Sequence, residues 1–103
     1  MTKEVLRDAA TAVVVNDSED QLHVLLLRRH QQLKVGGGHW VFPGGTVDPE
    51  DRQTGDGEQA ARIAAVRETE EEASLSLLSE DMLFYSHWTT PPFTKPRFAT
   101  WFF

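Results

Sequence analysis

The feature that most limits the fold of this chain is one long helical segment that stands between segments typical of strands. The sequence AARIAAVRETEEEASL covers residues 60–75, and we predict a helix that starts with Asp56 as N-cap and ends near Ala73. Gln59 lies three residues after Asp56 and would complete a pair similar to a capping box. The helix ends where its sequence becomes most acidic, which calls for an explanation.

Five other segments have the β-branched, apolar or aromatic composition of strands. They cover residues 10–16, 21–29, 40–42, 83–90 and 97–103. A polar turn at 17–20 predicts that the first two form a hairpin. We predict loops at 30–39, where three consecutive glycines favour flexibility, and at 46–57, with a single helical turn at 79–82.

Composition excludes several classes of protein. A chain of 103 residues is long enough for one small domain, residues 1–103, and its net charge of −6 argues against non-specific binding to nucleic acid or anionic membranes. The absence of cysteine excludes disulfides, thiolate metal sites and cysteine nucleophiles. No signal peptide or membrane-spanning run is visible, so we expect a cytoplasmic protein.

The final segment, RFATWFF, is the most aromatic strand of the chain and no turn or covering helix follows it. A free edge of this kind favours aggregation. We therefore expect that the chain lacks the C-terminal part of its domain, or that another chain, as in a homodimer, covers the strand. The alternative is a natural C-terminal strand buried within the sheet.

Three glutamates near the end of the helix share one face. Glu68, Glu71 and Glu72 are spaced i, i+3, i+4 and fall within about a third of the circumference, while Glu70 points elsewhere. They repel one another, and the helix macrodipole disfavours anions at this end. A divalent cation would relieve that conflict, since Mg²⁺ binds carboxylates together with phosphate oxygens and water. The pattern indicates a metal–phosphate site, with a solvated acidic face as the alternative.

Two neighbouring features favour the metal–phosphate site over the solvated face. The sequence FPGG at 42–45 places glycines where the backbone can approach a ligand closely. Arg67 directly precedes Glu68, where its planar guanidinium can orient a carboxylate or bind phosphate oxygens.

The combination PGGT…RETEEEASL, at residues 43–46 and 67–75, resembles the Nudix box, G-x5-E-x7-R-E-U-x-E-E-x-G-U, where U is a bulky aliphatic residue. The resemblance covers residues 45–75 and implies the Nudix fold, an α/β fold with a mixed β-sheet sandwiched between helices. Of that fold the chain would supply about the N-terminal two-thirds. It also implies an enzyme that uses Mg²⁺ or Mn²⁺ to hydrolyse nucleoside diphosphates linked to a second moiety. Coenzyme A, ADP-ribose and NADH are candidate substrates.

The resemblance also implies roles for single residues. Gly45 matches the first glycine of the box, whose carbonyl often binds metal in the family, and Glu68, Glu71 and Glu72 match its metal-binding glutamates. Glu68, Arg67 and Glu71 are the candidate catalytic residues. Glu68 is one hypothesis for the general base, and a glutamate beyond the box is the other.

The sequence departs from the box at three positions and in one spacing. Gln59 stands where the box has its first glutamate, Thr69 replaces an aliphatic residue and Ser74 replaces a glycine. The gap between Gly45 and Gln59 is about eight residues longer than the pattern, as it is in the branch that contains peroxisomal coenzyme A diphosphatases. The changes at Gln59 and Ser74 are expected to affect affinity and rate more than fold.

Residues 25–45 partly resemble a further motif of the coenzyme A diphosphatases, which makes Arg28 and Arg29 candidate substrate-binding residues. The alternative is that both arginines lie at a solvent-exposed strand end. The histidines are scattered without zinc-ligand spacing, and Trp40, Trp88 and Trp101 are expected in the core rather than stacked on an adenine.

Three functions remain open on the sequence. The first is a Nudix hydrolase acting on a nucleoside-diphosphate-type small molecule, without nucleic-acid or membrane partners. The second is a catalytically inactive Nudix-like domain that binds a nucleotide or a protein. The third is an acidic helix that docks a basic partner, which would leave FPGG unexplained.

Overall fold

The computed structural model describes residues 6–30, 37–93 and 96–103. The strands in these ranges are β1 (Leu6–Thr11), β2 (Val15–Ser18), β3 (Gln21–Val24), β4 (Leu27–Arg28), β5 (Trp40–Val41), β6 (Gly44–Thr46), β7 (Ser86–Thr89) and β8 (Arg97–Phe102). Helix α1 spans Glu58–Ala73, and short 3₁₀ turns cover Pro49–Arg52 and Ser79–Asp81.

Four strands form a mixed sheet in the order β6-β1-β8-β7. Strand β1 runs antiparallel to β6 and parallel to β8, and β7 runs antiparallel to β8. The pairs β2–β3 and β4–β5 form separate two-stranded ladders. The mixed sheet confirms the expected fold class, and among the described residues one α-helix packs on it.

Small side chains allow α1 to approach β1 and β6 closely. The helix buries Ala60, Ala61, Ala64 and Ala65 completely, and Ala10 of β1 is equally buried. An alanine face brings the helix backbone near the sheet because no long side chains hold them apart. The carboxylates that follow on α1 are therefore carried close to the backbone of β6.

The C-terminal strand β8 lies inside the sheet, bonded to β1 on one side and to β7 on the other. The expectation of a free aromatic edge was wrong, because both edges of β8 are paired. A homodimer that covers β8 loses its structural basis, since no unpaired edge is left there.

The helix begins later than predicted. Its first residue is Glu58, and the preceding Gly57 has φ 63° and ψ −126°, a backbone conformation that glycine adopts without strain. Asp56 is therefore not the N-cap, and no side-chain cap closes this helix end. The predicted end at Ala73 is confirmed.

The predicted strands are present but shorter. The segment at 10–16 contains the end of β1, which starts at Leu6, and the start of β2. The segment at 21–29 contains β3 and β4, and the hairpin pairs only β2 with β3. Glu19 and Asp20 both have positive φ, 55° and 58°, as a two-residue hairpin turn requires. Most of the predicted glycine loop, residues 31–36, lies outside the described residues.

Candidate active site

Arg67 of α1 joins the helix to the turn that follows β6. Its Nε donates to Asp51 Oδ1 at 3.1 Å and its Nη2 to Asp51 Oδ2 at 2.9 Å, so the carboxylate is bound through both oxygens. Nη2 also donates to the Thr46 carbonyl at 3.2 Å, and Nη1 donates to Glu68 Oε1 at 2.9 Å. A bidentate contact fixes the plane of the guanidinium and thereby the position of Glu68.

Burial makes the Asp51–Arg67 pair strong. The Asp51 side chain is only 2% exposed. Burial alone raises the pKa of the Asp51 carboxyl, but hydrogen bonds from Arg67 and from the Asp48 amide, with the charges of Arg67 and Arg52, lower it below its ordinary value. The bond to Asp51 raises the pKa of Arg67 further above its usual range. Both groups are therefore charged wherever the protein is folded at neutral pH.

Asp51 is the site residue that the sequence comparison missed. Five residues separate Gly45 from Asp51, as five separate the glycine and the first glutamate of the box, so Asp51 fits the place of that glutamate and the extra residues come after it. Counting backward from Arg67 had selected Gln59, which is exposed. The contact with Arg67 favours Asp51 over Gln59 for this place in the box.

Gly45 lies directly against the Glu68 carboxylate. A Cβ atom added at Gly45 would lie 2.6 Å from the carboxyl carbon of Glu68, far closer than real Cβ atoms approach. Only glycine leaves room for the carboxylate at this place, which explains the glycine in FPGG by close approach rather than by a special φ.

The other two glutamates of the face take different partners. Glu72 Oε1 accepts a hydrogen bond of 2.9 Å from the Gly44 amide. Glu71 is exposed and lies 3.4 Å from Arg67 Nη1. Glu70 is exposed on another side of the helix, as predicted. The structure therefore brings Gly45, Arg67, Glu68 and Glu72 together, with Glu71 at the margin.

Glu68 has the perturbed acidity expected of a crowded carboxylate. Burial raises its pKa above the ordinary value, and the negative charges of Glu72 and Glu71 raise it further, while the hydrogen bond from Arg67 opposes both. The neighbouring charges show that negative charge is in excess at this site, which a cation would balance.

The oxygen atoms gathered here would suit a hard divalent cation. They belong to the carboxylates of the glutamates on α1, and the backbone of Gly45 lies directly against one of these, Glu68. As they stand, no three acidic or histidine side chains in residues 6–30, 37–93 and 96–103 converge closely enough to hold a metal ion. Glu68, Glu71 and Glu72 would have to turn toward a shared point, since Arg67 and the Gly44 amide hold them in this structure.

Arg28 is the last residue of β4, in the β4–β5 ladder, and Arg29 follows it directly. The exposed Arg28 donates from Nε to the Gly38 carbonyl at 3.3 Å, and the backbone of Arg29 pairs with Gly38 and His39. The role of both arginines in substrate binding stays a prediction.

The remaining departures from the box have local explanations. Thr69 is fully buried and its hydroxyl donates to the Ala65 carbonyl at 2.7 Å, so a polar residue is satisfied within the helix. Ser74 adopts φ 56°, ψ 31° directly after the helix, a left-handed conformation that explains why the pattern has glycine there. Trp40 and Trp88 are exposed, against the expectation of core positions, whereas Trp101 is half-buried.

Comparison with known proteins agrees with this geometry. The family model described as NUDIX domain matches residues 5–103, and the chain belongs to this family. No curated protein matches the chain significantly. Within residues 6–30, 37–93 and 96–103, no helix is both long enough and apolar enough to cross a bilayer.

Several solved structures share the fold. A NUDIX hydrolase from Alicyclobacillus acidocaldarius is 23% identical with TM-score 0.74, over 98% of this chain and 69% of that one. The Ap4A hydrolase of C. elegans is 26% identical with TM-score 0.59, over 95% and 67%. The NUDIX domain of Shewanella oneidensis NrtR, in complex with ADP ribose, is 17% identical with TM-score 0.73, over 97% and 59%. The chain thus spans 59–69% of the length of these three structures.

Proposed function

We propose that this NUDIX domain hydrolyses the diphosphate linkage of a nucleoside diphosphate joined to a second moiety, with Mg²⁺ or Mn²⁺ as cofactor. Coenzyme A, ADP-ribose and NADH are the substrates we favour. We also propose that the protein is cytoplasmic. The observation that carries the proposal is the packing of Gly45 against Glu68, with Glu72 on the adjacent Gly44 amide. Two of the similar structures support the ligand class, since one is an Ap4A hydrolase and another binds ADP ribose.

In this proposal Glu68, Glu71, Glu72 and the Gly45 carbonyl would hold the cation. When bound, it supplies neutralisation of the phosphate charge and a lower pKa for a coordinated water. Glu68 would also accept the proton of the attacking water, since Arg67 holds its carboxylate in a fixed position.

Arg67 would act by positioning Glu68 rather than by binding phosphate. Its donors already contact Asp51, the Thr46 carbonyl and Glu68. An arginine with these contacts holds the carboxylate in one place, and releasing it for phosphate would leave the buried Asp51 charge unpaired.

The second candidate is a NUDIX domain that binds a nucleotide without hydrolysing it. The arrangement of the glutamates favours this candidate. Arg67 binds Glu68 and the Gly44 amide binds Glu72, and within residues 6–30, 37–93 and 96–103 no three acidic side chains converge on one point.

The test is hydrolysis of coenzyme A, ADP-ribose, NADH and diadenosine tetraphosphate with Mg²⁺ or Mn²⁺, on protein shown to be folded by circular dichroism. Glu72→Gln and Glu68→Gln should each lower kcat at least about a hundredfold, as loss of a metal-held or general-base group does. Glu70→Gln is the matched control, because it removes the same charge from the same helix outside the face.

Turnover that both face variants lose and Glu70→Gln keeps would support the hydrolase. Binding of ADP-ribose by calorimetry without turnover would move the assignment to the second candidate. Equal activity in Glu68→Gln and the parent would exclude Glu68 as base and as ligand. For Arg67, the readout of positioning is a changed pH profile of kcat in Arg67→Lys, with KM for the substrate nearly unchanged.

A further inference from the structure

The outer edge of β7 is open. Strand β7 ends the sheet order β6-β1-β8-β7, and within the part of the chain that the structure describes no strand pairs with its far side. Its last three residues, His87, Trp88 and Thr89, are exposed. An open edge presents backbone N–H and C=O groups that can pair with a strand of another chain. Proteins often block such an edge with charged side chains or proline, and β7 contains no proline, lysine, arginine or carboxylate.

Alternate residues of β7 direct their backbone groups outward. The Thr90 amide donates to the Phe98 carbonyl at 2.9 Å, and Trp88, two residues earlier, keeps the same register against β8. Hydrogen-bonded and non-hydrogen-bonded pairs alternate along an antiparallel ladder, so Trp88 bonds to β8 as Thr90 does. His87 and Thr89 therefore direct their N–H and C=O groups away from β8. These four groups form the open edge.

The other outer edge of the sheet, at β6, is covered by side chains of α1. The Gly44 amide donates to Glu72 Oε1 at 2.9 Å, and the Thr46 carbonyl accepts a bond of 3.2 Å from Arg67 Nη2. These side chains occupy backbone groups that a further strand would need. The sheet is therefore open to a further strand at β7 rather than at β6.

The open edge is complementary to a second copy of itself. When two β7 strands pair antiparallel about a two-fold axis at Trp88, His87 of each copy lies opposite Thr89 of the other, and all four outward groups of each copy form hydrogen bonds. The two Trp88 side chains, each 68% exposed, then meet across the axis as a non-hydrogen-bonded pair, in which side chains lie closest. The next outward position is Pro91, which has no N–H, so the pairing ends there.

Electrostatics favours β7 over other surfaces for self-association. The chain carries a net charge of −6, so two copies repel each other over most approaches. Because β7 contributes no carboxylate, two copies can meet along this edge without adding a pair of like charges at the contact.

We propose that two copies of this chain pair through their β7 edges about a two-fold axis at Trp88. The pairing joins their sheets into one sheet of eight strands, four from each copy. It uses the open edge of both copies, and α1 covers the β6 edges, so association stops at the dimer. The candidate active sites lie beside β6, at the two far ends of this sheet, and stay accessible. The pairing does not require the proposed hydrolysis.

The first test is analytical ultracentrifugation over a range of concentrations, with circular dichroism to show that each variant is folded. The parent protein should show an equilibrium between monomer and dimer. Thr89→Pro removes an outward N–H from each copy and leaves the bonds to β8 in place, so it should raise the Kd of the dimer at least about tenfold. Thr89→Val is the matched control, because it keeps the N–H and the β-branched shape, and its Kd should be nearly that of the parent.

The position of the axis is tested with charge. Trp88→Glu and Trp88→Lys each place two like charges across the axis, and each should weaken self-association at least about tenfold. A mixture of the two variants should form a heterodimer, because opposite charges then meet. Trp40→Glu is the control, since Trp40 is 63% exposed on β5, and this variant should dimerise like the parent. These variants keep the test decisive if Thr89→Pro does not fold.

Amide hydrogen exchange locates the contact at single residues. The amides of His87 and Thr89 should exchange slowly in the dimer and rapidly after dilution to the monomer. The amide of Trp88 should stay protected at both concentrations, because its bond to β8 lies within each copy.

Four results would overturn the proposal or one of its parts. A parent protein that is monomeric at every concentration would overturn it and leave the edge to a strand of another protein. A dimer that ignores both Thr89→Pro and Trp88→Glu, or in which His87 and Thr89 gain no protection, would place the contact elsewhere. A mixture of Trp88→Glu and Trp88→Lys that stays monomeric would refute the axis at Trp88. Assemblies larger than the dimer would refute the covering of β6.

Discussion

Asp51 holds the guanidinium of Arg67 through two hydrogen bonds, of 3.1 and 2.9 Å, across sixteen positions of sequence. The two residues connect the 3₁₀ turn Pro49–Arg52 to the middle of α1. Because Arg67 also holds Glu68 at 2.9 Å, the buried aspartate sets the position of the glutamate without touching it. The stability of the domain and the geometry of its candidate active site therefore depend on the same pair.

Asp51→Asn should destabilise the domain by about 2–4 kcal/mol, because it leaves a partly buried guanidinium without its anionic partner. Urea denaturation followed by circular dichroism measures the change. Asp48→Asn is the control, since Asp48 is more exposed and lies 3.3 Å from the same arginine. The control should cost less than about 1 kcal/mol. Equal losses in the two variants would contradict the dominance of Asp51.

The same pair predicts a dependence of stability on acid. The pKa of Asp51 is lowered in the folded protein, so its contribution is full above the unfolded pKa, about 4, and is lost as pH falls through the lower folded pKa. The difference in free energy of unfolding between the parent and Asp51→Asn should therefore be constant from pH 7 to about 5 and shrink below about 4. A difference that stays constant down to pH 2.5 would show that the fold does not lower the pKa of Asp51.

The two glycines before the helix should fail in different ways when replaced. In Gly45→Ala the new Cβ meets the movable end of Glu68, so activity should fall at least about tenfold with a stability loss below about 1.5 kcal/mol. In Gly44→Ala the new Cβ would lie 2.3 Å from the Ala10 carbonyl oxygen, which is backbone of β1. That variant should lose about 3 kcal/mol or more, since the strand pair must separate. Thermal unfolding and hydrolysis rates distinguish the two, and the reverse order would refute the assignment.

Ser74→Gly should stabilise the domain by about 0.5–1 kcal/mol, because serine is strained at φ 56° and glycine is not. Thermal unfolding measures the gain. Ser76→Gly is the control for the extra freedom of the unfolded chain and should be neutral or slightly destabilising. A loss of stability in Ser74→Gly would show that the serine makes a contact worth more than its strain.

The sequence predicted those parts of the molecule that depend on local patterns. Glu68, Arg67 and Glu72 are neighbours on one helix, so their spacing alone placed them together. The end of the helix at Ala73 followed from composition in the same way. The position of Gly45 came from the family resemblance, because nothing local brings a glycine of β6 to a glutamate more than twenty residues later.

What the sequence could not supply depends on contacts between distant segments. Asp51 was hidden by the insertion between it and the helix, and only its contact with Arg67 identifies it. The aromatic strand β8 was taken for a free edge because sequence order does not show that β1 and β7 flank it. Trp88 was expected in the core because an aromatic residue in a strand does not reveal which face is covered.

Glu68→Gln should stabilise the metal-free domain at pH 7 and abolish its response to Mg²⁺. The pKa of Glu68 is raised by burial and by the charges of Glu72 and Glu71, so the ionised carboxylate costs stability at any pH above that pKa. Neutralising it should add about 0.5–1 kcal/mol, the scale of two like-charge pairs on one helix face.

Addition of Mg²⁺ should raise the Tm of the parent protein, because a ligand that binds only the folded state stabilises it, and should leave Glu68→Gln unchanged. Glu70→Gln should behave like the parent in both measurements, as Glu70 is exposed outside the face. A destabilised Glu68→Gln would mean that the hydrogen bond from Arg67 outweighs the repulsion of the two neighbouring glutamates. A Tm that Mg²⁺ raises equally in both proteins would place the cation elsewhere. A Glu68→Gln variant that is more stable without Mg²⁺ and does not respond to it would show that the carboxylate of Glu68 lowers the stability of the domain and binds the cation.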